Sequence, residues 1–479
     1  MSKTESWETM TNNETTVKMF QAAFTALGIP QLLASCGITK AGGFGASSVF
    51  LTLLLLVFTG KNLYNSMNSR YRTVLLQAKK DTYYRFLKDP HFNWGRFILR
   101  LSFRVSVVCC NTFTGTPRPC FLVLDDSIIR RERSKCVELL STVYDHVNHD
   151  YPRCFNLLLL GWTDGYTFLP VQYLMMASKK HLVKDALKWE EKVDYRTCGG
   201  KVRKMAVAKK AEAAVAMVKA ALEEGFQTTC LLVDTWFTNE PFIHAMSEIG
   251  MDTIGMLKDI KQQYWYKGRL YDLQGLRSLI RFDKSTNVWG YITVQTRYRR
   301  IPVKLVFAMN KNNKDEYVII LSTNVDLTAE EIITYYGNRW SIECAFKVMK
   351  GMLDLGKEFQ TRSYDATIST TALAITRYIL LEYLHRINTD YRTIDEMCRE
   401  LYDEVPRIEF DEALTSLFQG IMDLVSDKDC HLAKAIKTFL VNWYVNVPES
   451  VKGILPMLEF SVPYGKADIE IPDYADEAA

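Results

Sequence analysis

What is missing narrows the field first. Eleven cysteines are scattered through 479 residues with no C-x-x-C pair, and only Cys109 and Cys110 adjoin. That pattern excludes a disulfide framework and a paired-cysteine zinc site, and it predicts reduced thiols in a cytosolic compartment. Long apolar runs are also absent. The most apolar stretch, SVFLTLLLLVFTG from Ser48 to Gly60, is far short of the roughly 20 residues a spanning helix needs. It predicts a buried helix, and no membrane partner is expected. The opening MSKTESWETMTNNE has no basic-then-apolar signal pattern. No internal repeat or low-complexity tract is present. A strong charge of one sign is lacking too: the net charge is +4 and the pI about 8.3.

The composition that remains, 48% hydrophobic and 24% charged, suits a globular chain of two to four domains. Charge is distributed more tellingly than its total. Between Lys61 and Arg104 there are ten Lys/Arg against Asp81 and Asp89, while the closing ADIEIPDYADEAA carries five acids and no base. A basic cluster of that density favours phosphate contact.

The first hundred residues read as helical: FQAAFTALG, the apolar run to Gly60, TVLLQAKKDTYYRFLKD and WGRFILRLSFRVSV. Asp81 is expected to cap TYYRFLKD, which with Val74–Lys79 forms a candidate helix-turn-helix. Residues 1–105 are therefore read as a helical DNA-binding domain. From Pro119 strands take over. CFLVLDD ends in two acids, and CFNLLLLGWTDG with YTFLPVQYLMMA predicts a hairpin across Asp164-Gly165. KVRKMAVAKKAEAAVAMVKAALEEG reads as one helix stopped by Gly225. TTCLLVD is a second buried strand ending in an acid, NEPFIHAMSEIG a helix with Pro241 in its first turn, and DTIGMLK a further strand. Three strands, helix, strand, helix, strand is the order of an RNase H-like sheet, predicted over 106–258 and 325–370. Residues 259–324 read as a β-strand insertion and 371–479 as a helical C-terminal region.

The stretch Tyr335–Leu355, YYGNRWSIECAFKVMKGMLDL, reads as one helix, led in by a capping box of Thr328 and Glu331. At about 100° per residue, Tyr336, Arg339, Glu343 and Lys350 fall within an arc of roughly 60°. Ile342, Phe346, Met349 and Leu353 form an apolar stripe beside them. Taken alone, Arg339 and Glu343 are an ordinary i,i+4 pair. Asp125 and Asp234 end two strands, and with Glu343 they offer hard oxygen ligands of the kind that two Mg²⁺ ions need. Any one strand-end Asp is more often a turn cap.

The spacing Tyr-(2)-Arg-(3)-Glu-(6)-Lys, preceded by those two acids, resembles the DDE transposases of the Tyr-Arg-Glu-Lys branch, the insertion sequence four family of bacteria. The resemblance covers roughly Asn111 to Thr370. It implies Asp125, Asp234 and Glu343 as catalytic metal ligands, with Asp126 of LDDS the rival first acid. It implies two Mg²⁺ ions, with Mn²⁺ as a substitute. Tyr336, Arg339 and Lys350 would contact DNA, joined by Lys347 on the same arc. Relatives cut through a DNA hairpin with a flipped base, for which Trp289 and Trp340 are candidate stacking surfaces, though a core tryptophan is as good a reading of each. The implied activity is cut-and-paste transposition on double-stranded DNA, terminal inverted repeats and target alike, by a homodimer in a cytoplasmic, nucleoid-associated setting. Two other readings stay open: an RNase H-fold nuclease without strand transfer, and a domesticated DNA-binding protein with an inactive core.

Overall fold

The apolar runs after Pro119 become strands because each can bury both faces between helices. In the computed structural model they are β1 (Phe121–Arg130), β2 (Ser141–Thr142), β3 (Arg153–Thr163), β4 (Phe168–Met176), β5 (Cys230–Val233) and β6 (Thr253–Leu257). The described residues are 16–407 with Thr438 and Phe439, apart from 69–75, 77, 113–117, 146–147, 185–192, 259–261, 312, 358–360 and 388–391. β3 lies antiparallel between β1 and β4, whereas β1, β5 and β6 run parallel to one another. The β3–β4 hairpin turns at Asp164-Gly165 as its sequence predicts. Gly165 takes a φ of +87°, and Asp164 Oδ1 accepts from the amides of Tyr166 and Thr167.

Five more strands follow: β7 (Gln263–Tyr266), β8 (Arg269–Asp272), β9 (Val288–Thr296), β10 (Pro302–Met309) and β11 (Tyr317–Ser322). They are not a separate sheet. β11 pairs antiparallel with β6, and the order β2-β3-β1-β5-β6-β11-β10-β9-β7-β8 is continuous, with β4 attached to β3. Leu305, Phe307, Leu321, Val303 and Leu276 are fully buried at its centre. Trp289 also belongs to this core. It is 3% exposed and packs against Phe282 and Tyr317, so it offers no free face to a base. Trp340, by contrast, is 63% exposed. Trp289→Phe is thus expected to cost about 1–3 kcal/mol of stability by leaving a gap, with DNA affinity unmoved. Trp340→Ala should do the reverse, and melting curves beside DNA titrations of the two variants check this.

Helices flank the sheet. The N-terminal set is α1 (Thr16–Ala26), α2 (Ile29–Ser35), α3 (Ala46–Leu56), α4 (Leu63–Asn68), α5 (Lys80–Leu87) and α6 (Trp94–Thr112). The apolar run at Ser48 is a buried helix, as expected: Phe50, Leu53, Leu54 and Leu56 are fully covered. Lys79, not Asp81, is the N-cap of α5, and Asp81 sits in its first turn. Of the expected first helix, Val74–Lys79, residues 76, 78 and 79 are not helical, and the others, like Arg70 and Arg72 of the basic cluster, lie outside the described residues.

The long helix predicted to end at Gly225 is two, α7 (Cys198–Ala206) and α8 (Lys210–Glu224), the second capped by Gly225. α9 (Glu240–Glu248) carries Pro241 in its first turn and is capped by the Asn239 side chain. α10 (Leu273–Ser278) belongs to the antiparallel half. The signature stretch is also divided, into α11 (Ala329–Gly337) and α12 (Trp340–Gly351), followed by α13 (Tyr364–Ile387). The capping box of Thr328 and Glu331 is present. No described helix is long and apolar enough to cross a membrane. The chain separates into units 1–405 and 406–479. The second, with the helical ending and acidic tail expected from the sequence, lies almost wholly outside the described residues.

Candidate active site

Parallel pairing brings together acids that are distant in sequence. The register between β1 and β5 closes with Leu124 opposite Val233, so Asp125 and Asp234 follow side by side, one residue further along each strand. The strand-end expectation is met at Asp234. At the first acid it is not, because β1 continues to Arg130, paired with β3 throughout. Burial, and then the charge of Asp234, push the Asp125 carboxyl up from 3.8 to about 7, against the opposing pull of Arg339. Asp234 is raised as well, by burial and then by Asp126, while the amide of Trp236 and the Lys210 ammonium pull it down.

Neighbouring residues on a strand face opposite ways, and the two adjacent acids have different partners accordingly. Asp125 meets the helix layer that carries Arg339, whose Nη1 donates to Asp125 Oδ2 at 3.0 Å. Asp126 accepts from Lys210 Nζ of α8 at 2.8 Å and from Asn156 Nδ2 of β3 at 2.6 Å. Asp126 is therefore already satisfied by a half-buried cation and an amide.

The third acid arrives through the break between α11 and α12. Asn338 turns its side-chain amide back to the carbonyls of Thr334 and Tyr335. The backbone amides of Asn338, Arg339, Ser341 and Ile342 each donate three residues back, a tightened 3₁₀-like turn. The straight-helix arc is thereby distorted, yet Arg339 and Glu343 remain one turn apart. Arg339 Nη2 donates to Glu343 Oε1. One guanidinium thus bridges Asp125 and Glu343. The apolar stripe behind it holds: Ile342, Phe346, Met349 and Leu353 are all buried, at about 1.5–3 kcal/mol each.

The remaining signature residues divide. Tyr336 is half-buried, its ring 5.8 Å from the Arg339 guanidinium, and burial raises its phenol pKa. Lys350 Nζ donates to Ser127 Oγ at 2.6 Å and to the Ile128 carbonyl at 2.9 Å, which pins it to β1. Burial lowers its pKa. Lys347 is exposed.

A groove of about 970 Å³ is lined by Asp125, Asp126, Asp234, Lys210, Trp236 and Lys350; Tyr336, Arg339, Glu343 and Lys347 are not among its lining residues. Trp236 was not singled out from the sequence. It is 48% exposed, and the Lys210 ammonium lies 4.4 Å from its ring centroid. Its signal was there to read in Asp-Thr-Trp-Phe, an aromatic two places after a strand-end acid. The role of Lys210 had no such signal, because its partner is 84 residues away.

Two family models match the chain, one described as DDE superfamily endonuclease over residues 47–266 and one as transposase DDE domain over 195–377. The chain carries a DDE-superfamily transposase/endonuclease region. Asp125 lies within the first match, Glu343 within the second, and Asp234 within both. No curated protein matches the chain. DDE domains support a nuclease or transposase enzyme, and they imply DNA as the substrate.

DDE transposase domains typically use divalent metal ions. The donor chemistry here fits such an ion. Asp125 and Asp234 are hard carboxylates pressed together in partial burial, each raised by the charge of a neighbouring acid. Among the described residues, however, no three His, Cys, Asp or Glu stand close enough to hold a metal as a ready-made group. Arg339 stands between Asp125 and Glu343 instead.

Proposed function

We propose that this protein is a cut-and-paste DNA transposase of the Tyr-Arg-Glu-Lys branch, with Asp125, Asp234 and Glu343 as its catalytic acids. The observation that carries the reading is the bridge through Arg339, which links two acids of the triad, while β-pairing sets the third beside the first. The strand order from β4 to β6, with β1 parallel to β5, supports an RNase H-like core for it. On this reading β7–β11 are the insertion and 1–105 the helical DNA-binding part. Terminal inverted repeats are the ends bound, in a homodimer in the nucleoid.

Asp125, Asp234 and Glu343 would hold the divalent ions, Mg²⁺ or Mn²⁺. When bound, such ions lower the pKa of water and stabilise a departing phosphate oxygen. The protein's own residues bind and orient the strand. Lys350, fixed on β1, presents a point charge at the groove wall, and Lys347 an exposed one. Arg339 alone can offer a planar fork to a phosphate, once it leaves Asp125. Trp340 and Trp236 supply exposed indoles for an unstacked base, a contact worth about 1–3 kcal/mol. Asp126 keeps Lys210 in place and takes no part in holding the ion.

The deciding experiment incubates the purified chain with DNA bearing inverted repeats from the flanks of its encoding element, with and without Mg²⁺. Metal-dependent nicks at the repeat ends, followed by joined products, are expected. Cleavage without joining would favour a nuclease, and no cleavage in any divalent metal would overturn the enzyme reading.

Arg339→Lys gives a finer check. A single ammonium cannot span Asp125 and Glu343, or grip two phosphate oxygens. It should therefore lose about as much activity as Arg339→Ala, roughly 10–100-fold, mostly after the first nick. Wild-type rates for Arg339→Lys at both steps would reduce the arginine to a pairing role.

A further inference from the structure

A second groove, of about 930 Å³, opens beyond the first. Its walls are the end of β1 with the turn after it, Arg130-Arg131-Glu132-Arg133-Ser134-Lys135, and the residues Gly356, Lys357, Thr361 and Arg362. Arg130, Gly356 and Lys357 line both grooves, so the two are continuous. Among the described residues cations dominate the lining: Arg131, Arg133, Lys135, Lys357 and Arg362, with Glu132 as the one acid. Glu132 is paired to Arg130, which also binds Asp145 and Asp150. Among the described residues, Arg133, Lys135 and Arg362 have no ion-pair partner, and all three are exposed.

The groove is built rather than a loose charged loop. The Ser134 amide donates to the Arg131 carbonyl at 2.9 Å, and Arg153 Nη1 donates to the Ser134 carbonyl at 3.2 Å. The two walls are tied where the Glu138 amide donates to the Arg362 carbonyl at 2.9 Å. Glu138 itself is clamped by the buried Arg203, which also holds Asp365, and accepts from the Tyr364 amide at 2.7 Å. At the mouth, Gly356 takes a φ of +81° against β1, where an added Cβ would come within 2.4 Å of Ile129. Exposed cations gathered along one groove raise the local positive potential and draw in an anion, most strongly at low salt.

We infer that this second groove binds the phosphate backbone of the DNA strand leading away from the carboxylates, through Arg133, Lys135, Lys357 and Arg362. The inference rests on the DNA-cleaving reading for its choice of ligand. Continuity with the carboxylate groove favours nucleic acid over an acidic protein segment, because one strand can fill both. Neither the resemblance nor the matched models assign this turn a role.

The test uses the full-length protein in EDTA with a fluorescein-labelled 40-base-pair duplex of mixed sequence, titrated across salt concentrations. Each phosphate contact contributes about 0.9 to the slope of log affinity against log salt. Arg133→Gln with Lys135→Gln should lower that slope by about two. Lys311→Gln with Lys314→Gln, in the turn after β10, should leave it unchanged. An unaltered slope for the first pair, or equal changes for both pairs, would overturn the inference. So would an unaltered slope accompanied by lost binding of polyglutamate, which would assign the groove to an acidic segment. No metal enters the assay, so it separates from the cleavage reading. A chain that cleaves with an unmoved slope sinks the groove alone, and one with a lowered slope and no cleavage sinks the enzyme alone.

Discussion

Asp125→Ala, Asp234→Ala and Glu343→Ala should each depress divalent-metal-dependent cleavage by at least about 10³-fold, or about 4 kcal/mol of barrier. DNA retention should survive in all three, because the cations around the groove are untouched. Asp126→Ala should behave differently. Its carboxylate is committed to Lys210 and Asn156, so its removal leaves a half-buried ammonium without its partner. The expected loss is about 1–3 kcal/mol of stability, with a smaller effect on the chemistry of whatever remains folded. Rates normalised to folded protein, measured for the four variants in Mg²⁺, decide the ranking. An active Asp125→Ala with a dead Asp126→Ala would move the first ligand by one residue and to the other face of β1. Ca²⁺, with its looser coordination, should support DNA binding with little or no cleavage.

Asp125→Asn should stabilise the metal-free protein at pH 8. The carboxyl titrates near 3.8 in the unfolded chain and near 7 in the folded one. Between those values the folded state binds the extra proton, so stability falls as pH rises through the window and the loss is complete above pH 7. Three or so units correspond to about 4 kcal/mol at most. That net shift already contains the attraction of Arg339 for the ionised carboxyl, so nothing further is subtracted for it. A gain of up to about 4 kcal/mol at pH 8, vanishing near pH 4, is therefore expected from thermal melts in EDTA. Adding Mg²⁺ should stabilise the wild type at pH 8 and leave Asp125→Asn unmoved. A lower melting temperature for Asp125→Asn at pH 8 would mean that the bond to Arg339 outweighs the repulsion by Asp234.

Much of the fold was legible where local chemistry decides it. Asp164-Gly165 specifies its turn, Thr328 and Glu331 their cap, and Gly225 its stop, each through neighbours a few residues away. The division at Asn338 had a signal in the pair Gly337-Asn338, which favours a helix end, but the apolar period continuing beyond it masked that stop. What shortens the turn there is a side-chain amide choosing backbone carbonyls over solvent. Nor could periodicity say that β11 would pair with β6 and merge the insertion into one sheet, since a strand's pattern names no partner. At the site, the acids could be named as strand-end residues, but LDDS alone cannot say which of two adjacent carboxylates faces Arg339. Four cations in the six residues Arg130–Lys135, the first closing β1 and the other three following it, form a second basic cluster that is legible in the sequence beside Lys61–Arg104.

β1 carries Asp125 in its middle and delivers Arg130 at its end, paired with β3 along its whole length. A paired strand neither stretches nor folds on itself, so it works as a ruler. Five residue steps at about 3.3 Å each set roughly 17 Å between the carboxylate and the start of the basic turn. Along B-form DNA that is about five nucleotides of one strand. A nucleic acid lying in both grooves would then be cut at a fixed count from where it is gripped. Inserting or deleting residues in β1 would shift that count together with the register to β3, so on the proposed reading the spacing of the cut would be protected by the same hydrogen bonds that hold the sheet.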